Sequence, residues 1–226
     1  MNYFDYFEKI YCINLDSRKD RWELAQSEFK KIGILDKVER FSAVEDESPN
    51  KGCYESNMQV VKLAKKNNFK NVLIFEDDVA FYKDYDEQKL QKAIEVLKTK
   101  DWEFFYLGGL ERRIAPRKQY NKLKNKWSGE YDETIDYLWN CRSVAWTHSY
   151  AVNSTFYDTM MKEYESNAWE VIAKEYKNHI DHWYQHYLLP KTYITIPTIT
   201  TQYDIVSDIS RTRTNKSLRL PRKDNE

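Results

Sequence analysis

Asn71-Val72-Leu73-Ile74-Phe75-Glu76-Asp77-Asp78 is the stretch on which the fold turns. A short, continuously apolar run of this kind is the pattern of a strand buried on both faces. Three carboxylates follow it at once. In an open α/β sheet, ligands bind outside the carboxyl ends of the strands, so these acids stand where a site is expected. If the extended geometry continues, Glu76 and Asp78 point to one face and Asp77 to the other. Two like charges held close must raise a pKa or share a cation. Hard oxygen donors with no soft ligand beside them suit Mg²⁺ or Mn²⁺, and such an ion would most naturally hold a nucleotide diphosphate. Taken alone, the triplet also reads as a solvated acidic turn; the buried strand in front of it favours a site.

Working upstream, residues 9–15 read as another short strand rich in β-formers. Asp16 and Ser17 offer N-caps for a helix with Trp22, Ala25, Phe29 and Ile32 on one side, and Gly33 is a natural stop. A strand fits residues 38–43, an acidic, Pro-containing loop fits residues 45–51, and a helix follows with Tyr54, Met58, Val61 and Ala64 inward. Downstream come a helix (Leu90, Ala93, Ile94, Leu97) and a strand over residues 102–107, ended by Gly108-Gly109. This alternation predicts an α/β fold: one domain with a mainly parallel central sheet flanked by helices.

Beyond Gly109 the pattern weakens. Residues 110–142 are irregular and carry Arg112, Arg113, Arg117, Lys118, Lys122, Lys124 and Lys126, with Tyr120 and Trp127 nearby. A loop this long in a compact domain reads as a functional flap or as disorder. Residues 150–152 are strand-like, and two helical stretches run to about Leu188. Residues 192–202 are β-rich, with Pro190 and Pro197 confining them to edges or turns. From Arg211 to Lys223 every charge is positive, which suggests a domain over residues 1–205 and a basic tail over residues 206–226.

Composition sets the outer limits. The 226 residues are 41% apolar and 32% charged, with 5 Gly and 5 Pro, which excludes collagen-like and disordered classes for the bulk of the chain. Lys+Arg and Asp+Glu balance at 36 each, so no global field drives the chain onto nucleic acid or an anionic membrane. The 3 cysteines, Cys12, Cys53 and Cys141, lack C-x-x-C spacing, which argues against a disulfide framework and a thiolate zinc site and suits a reducing compartment. No apolar stretch approaches a membrane span, and residues 1–9 carry acids where a signal peptide would carry cations, so a cytoplasmic location is expected.

Two further groups of residues bear chemistry. Arg18 and Arg21 lie just past a strand at the first turn of a helix, where backbone N–H groups favour anions and guanidinium matches phosphate. The same spacing also suits a solvated helix face. His179, His182 and His186, with Asp181 among them, would share a face if that stretch is helical. Trp183 stands where a zincin carries its Glu, so a metalloprotease is disfavoured. Half-buried aromatic packing is the alternative there, and His148 is either a metal or diphosphate partner or a structural histidine.

The run Ile13-Asn14-Leu15-Asp16-Ser17-Arg18-Lys19-Asp20-Arg21, followed by Phe41-Ser42-Ala43-Val44, resembles the start of glycosyltransferase family 25, which holds lipopolysaccharide-type and collagen galactosyltransferases of the GT-A fold. Gly52-Cys53-Tyr54-Glu55-Ser56 leading into Val72-Leu73-Ile74-Phe75-Glu76-Asp77-Asp78-Val79 resembles the same family. His148-Ser149-Tyr150-Ala151-Val152 and Ile180-Asp181-His182 match its weaker downstream blocks. The resemblance spans about residues 8–210. It implies a GT-A-like fold and an inverting, metal-dependent transfer of galactose or glucose from a UDP-sugar to a hydroxyl of a glycan or protein acceptor. It places Glu76 and Asp78 at the DxD-type metal position for Mn²⁺ or Mg²⁺, with Asp77 between them on the nucleotide-sugar side. Asn14, Leu15, Arg18 and Arg21 match the first nucleotide-contact block, and Ala43 and Val44 the second. Asp181 is the residue it favours as general base. One departure is Ser56-Asn57, where many members carry Ser-His.

The resulting expectation is a UDP-sugar-dependent hexosyltransferase. A catalytically inactive glycan- or nucleotide-binding module of the same fold is the alternative. A nucleic-acid binder built on the basic flap and tail is opposed by the neutral overall charge.

Overall fold

The decisive stretch forms β3 (Asn71–Glu76), buried over its first five residues. Its side chains alternate between two cores: Val72 and Ile74 pack with Tyr11, Ile13 and Val152, while Leu73 and Phe75 pack with Ile10, Cys12 and Ala151. A strand between two helical layers must be apolar on both faces, which is why it reads as a continuous run. The computed structural model describes residues 2–109 and 138–203, plus the backbone of residues 115–116, 120–121 and 126–127. The side chains of the basic flap, the tail over residues 206–226 and the side chain of His186 lie outside the described residues.

In chain order the elements are β1 (Lys9–Asn14), α1 (Lys19–Lys31), β2 (Val38–Ser42), α2 (Pro49–Lys66), β3, β4 (Val79–Phe81), α3 (Glu87–Leu97) and β5 (Phe104–Tyr106). The short strands β6 (Ala115–Pro116), β7 (Tyr120–Asn121) and β8 (Lys126–Trp127) precede β9 (Leu138–Ser143) and β10 (Ser149–Asn153). There follow α4 (Tyr157–Glu165), α5 (Ala168–Glu175), α6 (Ile180–Trp183) continued by a π-turn (Tyr184–Leu188), β11 (Thr192–Thr195) and β12 (Thr200–Gln202). The main sheet has the order β2-β1-β3-β10-β5-β11-β9, with the two-residue β6 at its edge.

The α/β class stands, but the sheet is mixed rather than mainly parallel. β1 runs parallel to β2 and β3, and β11 runs parallel to β5. β10 enters antiparallel between β3 and β5, and β9 is antiparallel to β11. An antiparallel neighbour needs no crossover helix, and pairing with β3 on one side and β5 on the other sets the direction of β10. β11 is also buried and paired on both sides, so Pro190 and Pro197 flank a central strand instead of marking an edge.

Helices α1 and α3 cover one face with Ala25, Phe29, Leu90 and Ile94; α2, α4, α5 and α6 cover the other with Tyr54, Met58, Met160, Ile172 and Trp183. Each fully buried Leu, Ile or Phe contributes on the order of 1.5–3 kcal/mol, so the two layers fix the strand ends firmly. α1 ends as expected at Gly33 (φ +70°): the Gly33 N–H donates to Lys30 O at 3.2 Å and the Ile34 N–H to Phe29 O at 2.9 Å. That double bond is the Schellman arrangement, which needs a left-handed residue. Its other end differs from expectation. Arg18, not Asp16 or Ser17, holds the N-cap position, because Asp16 instead accepts from Arg40 Nη2 at 2.6 Å and Ser42 Oγ at 2.8 Å. α2 begins inside the stretch expected to be a loop, with Pro49 at its first turn, where the missing N–H costs nothing. β12 pairs with β4 so that Gln202 lies opposite Val79, which sets it beside the end of β3. No described helix is long and apolar enough to cross a membrane.

Candidate active site

The C-terminal ends of β1, β2 and β3 open into a cavity of about 690 Å³. Ile13, Asn14 and Leu15 form its floor from β1, and residues 43–47 after β2 form a wall. Gly52, Cys53, Ser56 and Asn57 of α2 continue that wall, and Glu76, Asp77 and Asp78 come from β3. Arg21, Trp146 and Gln202 complete the lining. The wall after β2 is clamped to α2: the Val44 N–H donates to Ser56 Oγ at 2.8 Å, and that hydroxyl donates to Gly52 O at 2.7 Å. A Cβ on Gly52 would stand 2.5 Å from Val44 O, so only glycine lets the helix come this close.

The chain turns at Asp77 and Asp78 instead of continuing as a strand, and this corrects the expected split between two faces. All three acids face the same cavity. Asp77 accepts from Asn14 Nδ2 at 2.7 Å and pairs with Arg21 Nε at 3.0 Å, while Arg21 Nη2 lies 3.3 Å from Asp78. Burial pushes the Asp77 carboxyl up to about 6 in spite of Arg21 and the Asn14 bond. At Glu76, the loss of solvation inside the cavity and then the neighbouring Asp78 charge push the carboxyl up to about 8, although Thr147 Oγ1 donates to it at 2.6 Å. Gln202 Nε2 donates to Asp78 at 3.3 Å, and the Tyr203 N–H donates to Asp78 O at 2.7 Å.

Eight of the ten residues expected at the site line this cavity: Asn14, Leu15, Arg21, Ala43, Val44, Glu76, Asp77 and Asp78. The other two do not. Arg18 pairs with Asp20 through Nε and Nη2, both at 3.1 Å, and is not in the lining, although its charge is felt at Asp77. Asp181 is not in the lining; its Oδ2 accepts the Trp146 N–H at 3.0 Å and its Oδ1 the His182 N–H at 2.8 Å. The described histidines of the 179–186 stretch do not line the cavity either, and the side chain of His186 lies outside the described residues. His179 precedes α6 as its N-cap, and the helix gives way to a π-turn after four residues; the His179 and His182 rings lie 5.2 Å apart outside the cavity lining. His148 is fully buried, with Nε2 3.4 Å from Thr200 Oγ1, as a structural histidine would be. Asn57, at the Ser-His departure, donates to Cys53 O at 2.9 Å and accepts from the Tyr150 hydroxyl at 2.8 Å, a packing role inside the helix–sheet interface.

Four contributors went unread in the sequence. Arg40 donates to Asn14 Oδ1 at 2.8 Å and so orients the amide that holds Asp77. Thr147, Trp146 and Gln202 arrive from distant parts of the chain. A lone Arg in a strand is the only signal the first could have offered, and the other three had none.

The donor set can be tested for a divalent cation. Glu76 and Asp78 are oxygen donors, and no group of three or more His, Cys, Asp and Glu side chains poised for a metal exists among the described residues. Two carboxylates suit an ion that shares its remaining ligands with substrate phosphates and water, as Mg²⁺ does; they do not make a closed protein cage.

The model of glycosyltransferase family 25 (LPS biosynthesis protein) matches residues 48–174, more than half of the chain. The chain belongs to glycosyltransferase family 25. The match takes in α2, β3 and the three acids; residues 13–21, which carry part of the resemblance, lie before it. A search of curated proteins by sequence gives no significant match. Among solved structures, the chain is similar to A197 from STIV, with 10% identity, TM-score 0.46, and 82% of this chain and 79% of that one covered. It is similar also to a glycosyltransferase involved in the glycosylation of the major capsid of PBCV-1, with 9% identity, TM-score 0.47 and the same 82% and 79% coverage. As a family 25 member the chain is a glycosyltransferase, with a sugar donor and an acceptor as its substrates, and its mixed α/β sheet is consistent with a GT-A-like fold.

Proposed function

We propose that this family 25 protein is an inverting transferase that moves a hexose, galactose or glucose, from a UDP-sugar to a hydroxyl of a glycan or protein acceptor with the help of Mn²⁺ or Mg²⁺. The observation that carries the reading is the joining of Arg21, Asp77, Asp78 and Glu76 in one cavity at the carboxyl end of β3. Charge supports the cation. Glu45, Asp46, Glu47, Glu76, Asp77 and Asp78 line the cavity against Arg21 alone among the described residues, and Arg21 is already engaged by two of them. A diphosphate entering such a wall needs positive charge brought with it.

In this reading Asp78 and Glu76 would hold the ion, which would supply positive charge to offset that of the departing diphosphate. Arg21 keeps Asp77 and Asp78 apart and oriented, so they meet the cation already placed. Asn14, fixed by Arg40, keeps Asp77 on Arg21, and the Ala43-Val44 wall receives the nucleoside. Thr147 directs Glu76 into the cavity, beside Trp146 and Gln202 in its lining.

The test is release of UDP from UDP-galactose and UDP-glucose, with Mn²⁺ and with chelator, over an array of glycan acceptors. Metal-dependent UDP release coupled to hexose on an acceptor is expected. Binding without any turnover would make the protein a nucleotide-sugar-binding module, and turnover undiminished by chelator would remove the cation from the mechanism.

A further inference from the structure

The five residues between β9 and β10 alternate in use. Val144 and Ala145 are buried, Trp146 lines the cavity, Thr147 bonds Glu76, and the His148 carbonyl accepts the Glu76 N–H at 3.0 Å. Trp146 therefore stands one residue from the group that aims Glu76, on the side of the cavity where the diphosphate and its sugar would lie. It is also the one aromatic among the described lining residues. Its backbone has φ +73°, a region that a bulky side chain enters only when its surroundings hold it there. One such hold is the carboxylate of Asp181, which accepts the Trp146 N–H at 3.0 Å from outside the cavity.

Resting on the transferase reading above, we propose that Trp146 is the platform for the transferred pyranose and that Asp181 is its positioning residue, acting through the Trp146 peptide and not as the general base. A hexose presents a flat C–H face to match its hydroxyl rim, and an indole offers the largest flat apolar surface a side chain can supply. Both Asp181 oxygens already accept backbone N–H groups, whereas a base must turn a lone pair to the acceptor hydroxyl. Fixing the indole in advance means that no rotamer has to be ordered when the sugar arrives.

Calorimetric titration of UDP, UDP-galactose and UDP-glucose in the presence of Mn²⁺ tests this. The wild type should bind at least one UDP-sugar more tightly than UDP. Trp146→Ala should remove that increment, a roughly five- to tenfold loss for the UDP-sugar, and leave UDP affinity unchanged. Trp146→Phe should keep most of it. UDP affinity serves as the folding control, and Trp146→Leu replaces the Ala variant if that control fails. Asp181→Asn keeps a carbonyl oxygen for the Trp146 N–H, so it should retain both the increment and UDP-sugar turnover, whereas Asp181→Ala should lose the increment. An increment that survives Trp146→Ala or Asp181→Ala, or is missing in the wild type, overturns the inference while the donor site stands. Turnover abolished in Asp181→Asn with the increment intact returns Asp181 to the role of base. Failure of the wild type to bind any of the three overturns the donor reading and the inference together.

Discussion

Glu76-Asp77-Asp78 and His179-Ile180-Asp181-His182 each hold three titratable groups, yet the first lines a 690 Å³ cavity and the second lies outside its lining. What precedes them separates the two. The acids follow a strand locked between two cores and paired on both sides, so their backbone is delivered to the carboxyl end of the sheet. His179 and His182 ride on a short helix continued by a π-helix, which packs Ile180, Trp183 and Tyr184 into the core and leaves the two imidazoles beside each other, outside the cavity lining. Position relative to a buried strand end is thus a stronger indicator of a site than helical spacing.

The largest effect expected from that contrast is on turnover. Asp78→Asn and Glu76→Gln should each lower UDP-sugar turnover by roughly 10²–10³, read as initial rates at saturating Mn²⁺. A residual activity within a few-fold of wild type would break the comparison at its strong end.

Next in size is stability. Arg21 is 8% exposed and its removal leaves the buried Asp77 and the partly buried Asp78 without their cation. Arg21→Met should cost about 3 kcal/mol in denaturant unfolding, and added Mn²⁺ should restore part of it.

A smaller, pH-dependent effect separates the partly buried Glu76 from the buried Glu28. Glu76 is pushed up by burial and Asp78, whereas Glu28 on α1 is held below its ordinary 4.5: burial opposes ionisation, and contacts from Lys31, Tyr203 and the Phe81 N–H outweigh it. A depressed carboxyl contributes stability that is present above its unfolded value and is lost as pH falls through its folded value. The stability gap between wild type and Glu28→Gln should therefore be about 1–2 kcal/mol at pH 7 and close toward pH 3, followed by urea unfolding at each pH. A gap independent of pH would show that Glu28 is not held ionised. The smallest effect belongs to the second cluster: His179→Ala with His182→Ala should change stability by within about 0.5 kcal/mol and leave UDP-sugar affinity unaltered.

Much of the fold was legible because burial writes itself into the chain. β3 announces two cores by being apolar throughout, and α2 and α3 show their inner faces at Tyr54, Met58, Leu90 and Ile94. The order of the second half was not legible. Nothing in residues 149–153 tells that β10 will enter antiparallel between β3 and β5, because that is decided by pairing partners more than 40 residues away. The site divides in the same way. Residues at the ends of β1, β2 and β3 could be named, whereas Thr147, Trp146 and Gln202 reach it only through tertiary contacts. Arg18 and Arg21 show the limit of local spacing: both stand near the start of α1, and the local partner Asp20 captures one while the buried acids hold the other.

The account rests on a nucleotide-sugar site organised by Asp78. Thermal unfolding of wild type and Asp78→Asn with UDP-sugars and other nucleotides, with and without Mn²⁺, tests it most directly. A ligand at about 100 times its Kd adds about 2.7 kcal/mol, or roughly 5–10 °C in Tm for a chain of this length. The predicted result is a UDP-selective, Mn²⁺-dependent rise of that size in the wild type, absent in Asp78→Asn. A rise of equal size in both proteins, or none with any nucleotide, would contradict it.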